Sequence, residues 1–300
     1  MRIANHDDRL TLLTGDAAID VATASDGLFD HRIEHIYDRW DEFVAWCFQH
    51  DPHAASHDAD ATGAGEPAVG AVSPRPRQIF GVGLNYVDHA AEAGSPLPEV
   101  PLLFTKFGSS LAGPNADISL TGPSVDWEVE LVVVVGSRCA KVNRADAWSH
   151  VAGLTVGQDI SDRDVQLQGA NPQYSFGKSF ENFAPIGPVL VTPDEFDDPD
   201  SLALRCSVNG EIMQDGTSSN LVFPVPELVE YISARVTLFP GDLIFTGTPA
   251  GVGLGRSPQR YLRAGDVIVS TIEGIGEMTN TVVDPVHAIG TPVTHAASVR

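Results

Sequence analysis

Lysine is almost missing from this chain. Lys106, Lys141 and Lys178 are the only three, so arginine supplies the other fifteen of its 18 basic side chains. Set against 40 acidic residues, this leaves a formal net charge of -22, which argues against nucleic acid as a partner. Such a surface resembles that of proteins from salt-loving archaea, where a Debye length of about 3 Å near 1 M salt screens self-repulsion. An acidic mesophilic protein kept soluble by its charge is the plainer alternative. Cysteine is scarce too. Cys47, Cys139 and Cys206 form no Cys-x-x-Cys pair, which speaks against a disulfide framework and a thiolate metal site and fits a reduced cytoplasm. Long apolar runs are also lacking. Leu131 to Val135 falls far short of the roughly 20 residues of a spanning helix. Met1 to Asp8 has no signal-peptide apolar core. The expectation is a cytoplasmic protein without a membrane partner.

What is present can bury a core, since 43% of the 300 residues are hydrophobic. Residues 1–50 mix strand-like pieces (Leu10 to Leu13, Ala18 to Val21) with an amphipathic stretch from His35 to Phe48, and read as a small N-terminal subdomain. Residues 51–77, rich in Ala, Gly, Pro and Asp, read as a linker or long loop. Residues 78–300 then form the main domain, where strand signals dominate: Ile79 to Val82, Glu128 to Val135, Leu154 to Val156, Leu202 to Val208, Glu211 to Met213, Leu243 to Thr246 and Val267 to Ile272. Asn209-Gly210 marks a two-residue hairpin. Asn143 with Asp146, and Ser161 with Asp164, carry helix-start spacing. The predicted class is α+β, β-rich, with short helices.

Strand periodicity puts Asp126, Glu128 and Glu130 on one face and Trp127, Val129 and Leu131 on the other. Crowded carboxylates destabilise a sheet unless a cation joins them, and hard oxygen ligands suit Mg²⁺, Mn²⁺ or Ca²⁺. An acidic, solvent-facing strand is the alternative. Asp159 ends another strand just before a capped helix, either as a functional group aimed into a cleft or as a turn residue. In Gly83-Leu-Asn85-Tyr-Val-Asp-His89-Ala-Ala-Glu92-Ala-Gly94, Asn85 can cap a short helix that Gly94 ends. His89 and Glu92 then stand i and i+3, where a carboxylate can orient an imidazole as a general base. An exposed helical pair would give the same spacing. The glycines here and at Gly251, Gly253 and Gly255 lack the dinucleotide fingerprint and its βαβ setting. Lys106 and Lys178 survive in glycine- and aromatic-rich segments of a chain that otherwise avoids lysine. A compact ammonium beside an anionic substrate or a metal is a task that arginine does not perform.

Taken in order, Gly83-Leu-Asn85-Tyr-x-x-His89-x-x-Glu92, Asp126-Trp-Glu128-x-Glu130-Leu, Asp159-x-Ser-x-Arg163-Asp-x-Gln166, Lys178-Ser-Phe, Asn209-Gly210-Glu211 and Gly247-Thr248-Pro-Ala-Gly251-Val-Gly resemble the fumarylacetoacetate hydrolase family over roughly residues 78 to 282. The resemblance implies a mixed β-sandwich roll, Mg²⁺ or Mn²⁺ on Glu128, Glu130 and Asp159, and a homodimer. It implies His89, Glu92 and Lys178 as catalytic groups, with Arg163, Gln166, Lys106 and Thr248 near the substrate. The substrates implied are 2-oxo acids and related enols. Hydrolysis of an acylpyruvate C–C bond leads, and isomerisation, tautomerisation, decarboxylation or dehydration of a 2-keto-3-deoxy sugar acid are the other outcomes. A metal-binding domain without catalysis would have no need of His89 and Glu92. Asp126, on the same face, is the loose end of this scheme, a residue that would stand behind the ligands rather than among them.

Overall fold

The computed structural model describes residues 1–15, 17–49 and 68–285. At its centre lies the strand Val129–Val135, in which every residue is buried. Alternate side chains of a strand leave by opposite faces. Accordingly Val129, Leu131, Val133 and Val135 enter one hydrophobic cluster, and Val132 and Val134 enter another. The apolar run is unbroken because both faces are covered.

This strand belongs to a ten-stranded mixed sheet, between Val151–Gln158 and Leu243–Phe245, both antiparallel to it. Leu243–Phe245 runs parallel to Ile79–Gly83, and Leu102–Thr105 closes that edge. On the other side follow Ala184–Val191 and then Arg2–His6, Arg9–Thr14 and Ala17–Asp20. A five-stranded sheet covers one face, in the order Glu211–Thr217, Ala203–Val208, Val267–Ile272, Gly276–Val283 and Ile118–Ser119. Its Leu204, Cys206, Ile268 and Met278 share a core with Leu131, Val133 and Val156. Tyr37, with Phe43 and Trp46 of the helix Trp40–Gln49, covers the opposite face over Val132, Val134 and Phe245. The result is the β-rich α+β sandwich that the sequence predicts.

Several local expectations resolve differently. The N-terminal strands join the main sheet through Arg2–His6 on Ala184–Val191, so main-chain pairing ties the first fifty residues to the rest. The linker read over 51–77 falls outside the described residues up to position 67. Beyond it, Val69 bridges His6 and Val72 is buried, its carbonyl accepting from the Tyr37 hydroxyl. Ser161 caps nothing. It lies in a short strand, and Asp162 caps the helix Arg163–Gln166 by accepting from the N–H groups of Asp164 and Val165. Asn143 precedes a 3₁₀ segment, Arg144–His150, without a side-chain cap. Nor does Asn85 cap the helix Val87–Glu92, whose N-cap is Tyr86. The Asn85 amide is pulled into the core, donating to the carbonyls of Phe223 and Thr246 and accepting from Phe223 N–H. The Asn209-Gly210 hairpin forms with both residues at positive φ, 54° and 79°, as a type I′ turn requires.

Candidate active site

Three carboxylates meet where the central strands begin and end. Glu130 leaves Val129–Val135 on the face opposite Leu131, Glu128 stands just before that strand, and Asp159 follows Val151–Gln158, its N–H bonded to the Glu128 carbonyl at 2.9 Å. All three are buried, with oxygens within 4.8 Å of one another. An acidic, solvent-facing strand is thereby ruled out. Asp126 shares the parity but belongs to a separate two-residue strand, Val125–Asp126, that pairs with Ser161–Asp162.

Buried carboxylates need cations, and the chain's scarce lysines supply them. Lys178 Nζ donates to Glu128 Oε2 and Asp159 Oδ2, both at 2.7 Å, and to Ser161 Oγ at 2.8 Å. It can reach them because Gly177 lets the helix Tyr174–Gly177 sit against Arg163–Gln166. A Cβ there would lie 2.5 Å from the Gln166 nitrogen. Lys106 Nζ bonds Asp159 Oδ1 at 2.5 Å and the Lys178 carbonyl. Arg163 Nη2 lies 2.7 Å from Asp126 Oδ2 and 2.8 Å from Glu128 Oε1. Burial pushes the Glu128 carboxyl up, but Lys178 and Arg163 outweigh it and bring the pKa down to about 2. Glu130 goes the other way, driven well above the usual carboxylate range by burial and by Asp159 and Glu128. One of its oxygens, Oε2, accepts from the Gly247 N–H at 2.8 Å. Burial also opposes the Lys178 ammonium, yet Asp159 and Glu128 hold its pKa above the ordinary lysine value. For Lys106 burial wins and the pKa falls.

A cavity of about 180 Å³ opens on this cluster, walled by Glu128, Glu130, Arg163, Gln166, Lys178, Thr248 and His89 together with Leu84, Phe104, Tyr174 and Leu254. Asp159, Glu92 and Lys106 lie behind the wall. Lys106, expected beside substrate, instead braces Asp159 from the rear. Thr248 reaches the wall, but its hydroxyl donates to the Val129 carbonyl and accepts from Gln214 Nε2. Gln166 accepts from Arg163 Nη1 at 2.8 Å.

His89 Nδ1 lies 3.1 Å from Glu92 Oε2, with both side chains largely buried, so the i, i+3 pair is a held dyad rather than an exposed one. The other oxygen, Glu92 Oε1, accepts from Gly251 N–H at 2.9 Å. The Gly251 to Gly255 stretch thus packs its backbone against acids. Gly253 and Leu254 donate their N–H groups to Asp126, and a Cβ on Gly255 would stand 2.4 Å from the Glu92 carboxyl carbon. Sequence reasoning named this loop only within the family resemblance and gave it no contact, and it missed Gln158 and Gln214, whose amide oxygens accept from the N–H groups of Glu128 and Val129. The alternate glycines were the available signal, since they mark close backbone approach.

The donor set is all oxygen and all carboxylate, with three formal negative charges. It fits a hard divalent cation such as Mg²⁺, Mn²⁺ or Ca²⁺, and lacks the nitrogen or sulfur ligands that zinc prefers. A buried acidic triad beside a His/Glu dyad in a small cavity defines an enzyme. The chain belongs to the fumarylacetoacetate hydrolase family: the family's C-terminal hydrolase domain matches residues 78–283. The mitochondrial oxaloacetate tautomerase of Homo sapiens is 45% identical over 211 residues, which is 70% of this chain and 67% of that protein. A crystal structure from Mycobacterium smegmatis superposes with a TM-score of 0.87 at 48% identity, covering 95% of this chain and 99% of the other. The maleylpyruvate hydrolase of Sphingobium, solved with manganese(II) and pyruvate, has a TM-score of 0.75 at 27% identity over 95% and 100% of the two chains. The human relative works in a compartment other than the cytoplasm expected from composition. Among the described residues no helix is long and apolar enough to cross a membrane.

Proposed function

We propose that this enzyme uses a divalent cation, Mg²⁺ or Mn²⁺, to act on 2-oxo acids, and that its reaction is hydrolysis of the C3–C4 bond of an acylpyruvate. The carrying observation is that His89, held from behind by Glu92, and the Glu128/Glu130 pair face one cavity. An ion held by Glu128, Glu130 and Asp159 would supply Lewis-acid polarisation of the substrate's 2-oxo and carboxylate oxygens. Glu92 binds Nδ1 of His89, leaving Nε2 to take a proton from a water that attacks the C4 carbonyl. As the C3–C4 bond breaks, its electron pair passes to C3, where the proton returned by His89 completes pyruvate. The acyl group leaves as a carboxylic acid. Lys178 and Arg163 offset the charge that develops beside four buried carboxylates.

A second reading is tautomerisation, favoured by the 45% identity with an oxaloacetate tautomerase. It needs no water: His89 would move one proton between C3 and the 2-oxygen. The two readings separate in one assay on Mn²⁺-loaded protein, run at low and high salt. Pyruvate released from acetylpyruvate supports hydrolysis. Accelerated decay of the enol absorbance of oxaloacetate, without pyruvate, supports tautomerisation. Inactivity on both would overturn the 2-oxo acid assignment.

A further inference from the structure

Asp126 is the one acid of this cluster to which the chemistry above gives no task. It is fully buried, and donors fill both its oxygens. Oδ1 accepts from Trp127 N–H at 2.9 Å and Gly253 N–H at 2.7 Å, and Oδ2 from Arg163 Nε at 2.8 Å and Leu254 N–H at 3.0 Å. Arg163 Nη2 adds a fifth contact at 2.7 Å. An ionised carboxylate offers about four lone-pair sites, so no direction remains for a metal. The same Nη2 lies 2.8 Å from Glu128 Oε1. Arg163 is therefore divided between a carboxylate wholly committed to protein donors and one that belongs to the triad.

We infer that Asp126 is a positioning residue for the metal centre. It holds the Arg163 guanidinium through Nε and Nη2, so that Arg163 meets Glu128 through Nη2 alone and does not clamp it with two nitrogens, and thereby leaves Glu128 able to ligate a divalent cation. This rests on the reading of Glu128, Glu130 and Asp159 as ligands. The charge balance points the same way. Four carboxylates (Asp126, Glu128, Glu130, Asp159) face three basic side chains (Lys106, Lys178, Arg163), a formal charge of -1. Without Asp126, the three cations already neutralise the triad. An Asp126→Asn change leaves an oxygen for Gly253 N–H but turns a donor towards Arg163 Nε, which frees the guanidinium for Glu128. The glycine loop ties this arrangement to the dyad, since Gly251 bonds Glu92 while Gly253 and Leu254 bond Asp126.

The test is calorimetric titration of Mn²⁺ into chelator-treated full-length protein, in a cycle of wild type, Asp126→Asn, Arg163→Met and the double variant. Asp126→Asn is expected to weaken Mn²⁺ binding roughly 10- to 100-fold, the range for changes to groups that orient metal ligands. In the Arg163→Met background the same change is expected to cost less than about threefold, because the competitor is gone. Arg163→Met alone should bind Mn²⁺ at least as tightly as wild type. This arm decides the matter if Asp126→Asn does not fold, and weaker binding there overturns the inference. So does an Asp126→Asn protein with wild-type affinity, or an equal loss in both backgrounds. A wild-type protein that takes up no Mn²⁺ overturns the ligand assignment itself.

Discussion

Replacing Glu130 with glutamine should stabilise the metal-free protein and weaken its hold on metal. Glu130 is 1% exposed, and its oxygens lie within 4.8 Å of those of Glu128 and Asp159. At an effective dielectric constant of about 20, two unit charges 4.8 Å apart repel by about 3.5 kcal/mol. Lys106 and Lys178 return part of this to the cluster, so neutralising Glu130 should gain about 1 to 3 kcal/mol, similar to other replacements of buried ions. Glutamine is isosteric. Its carbonyl can accept from Gly247 N–H while its amide donates to Asp159 or Glu128, so no polar group is orphaned. In chelator, thermal unfolding should therefore shift upward by roughly 2 to 6 °C. With Mn²⁺ at 100 times the wild-type Kd, wild type should gain about 2.7 kcal/mol and the variant little of it. The two melting curves should cross as metal is added. A Glu130→Gln protein that melts below wild type in chelator, or that binds Mn²⁺ like wild type, would refute the picture of a strained triad waiting for a cation.

Other outcomes follow from the same contacts. His89→Gln and Glu92→Gln should each lower kcat roughly 10²- to 10⁴-fold on whichever 2-oxo acid is turned over, with Mn²⁺ affinity by calorimetry unchanged. Lys178→Met should cost the metal-free fold about 3 to 5 kcal/mol in urea unfolding, because Glu128 and Asp159 lose their shared partner. Lys178→Arg should not restore it, since a planar guanidinium cannot replace one ammonium among three close oxygens. At the molecule's edge, burial raises the Asp20 carboxyl, but Arg9 and Thr23 outweigh it and hold the pKa at about 2. Its contribution is thus complete above about pH 4 and lost as pH falls towards about 2. Solvent screening keeps it below about 1 kcal/mol, and Asp20→Asn should flatten the stability profile over that window by that amount.

Much of the site was legible because it depends on local alternation. The parity that separates Glu128 and Glu130 from Trp127, Val129 and Leu131 is a property of the strand itself, and the i, i+3 spacing of His89 and Glu92 is a property of the helix. What sequence left open was burial. Whether Glu128 and Glu130 face solvent depends on Arg163, Lys178 and Gly247, which lie between about thirty and about a hundred and twenty residues away in sequence and close over them. The caps failed for the same reason. Asn85 reads locally as a helix start, yet Phe223 and Thr246, distant along the chain, compete successfully for its amide. Asp126 could be placed on the carboxylate face, but its partners could not be read, because they come from separate segments around Trp127, Arg163 and Gly253.

The distribution of amines has a practical consequence. Of the three lysines, Lys106 and Lys178 are sealed in the carboxylate cluster, 3% and 2% exposed, and only Lys141 stands in solvent, at a bend. Apart from the terminal amine, an amine-directed dye, cross-linker or activated resin can attach at a single address. Attachment through Lys141 should leave the carboxylate cluster and its chemistry untouched.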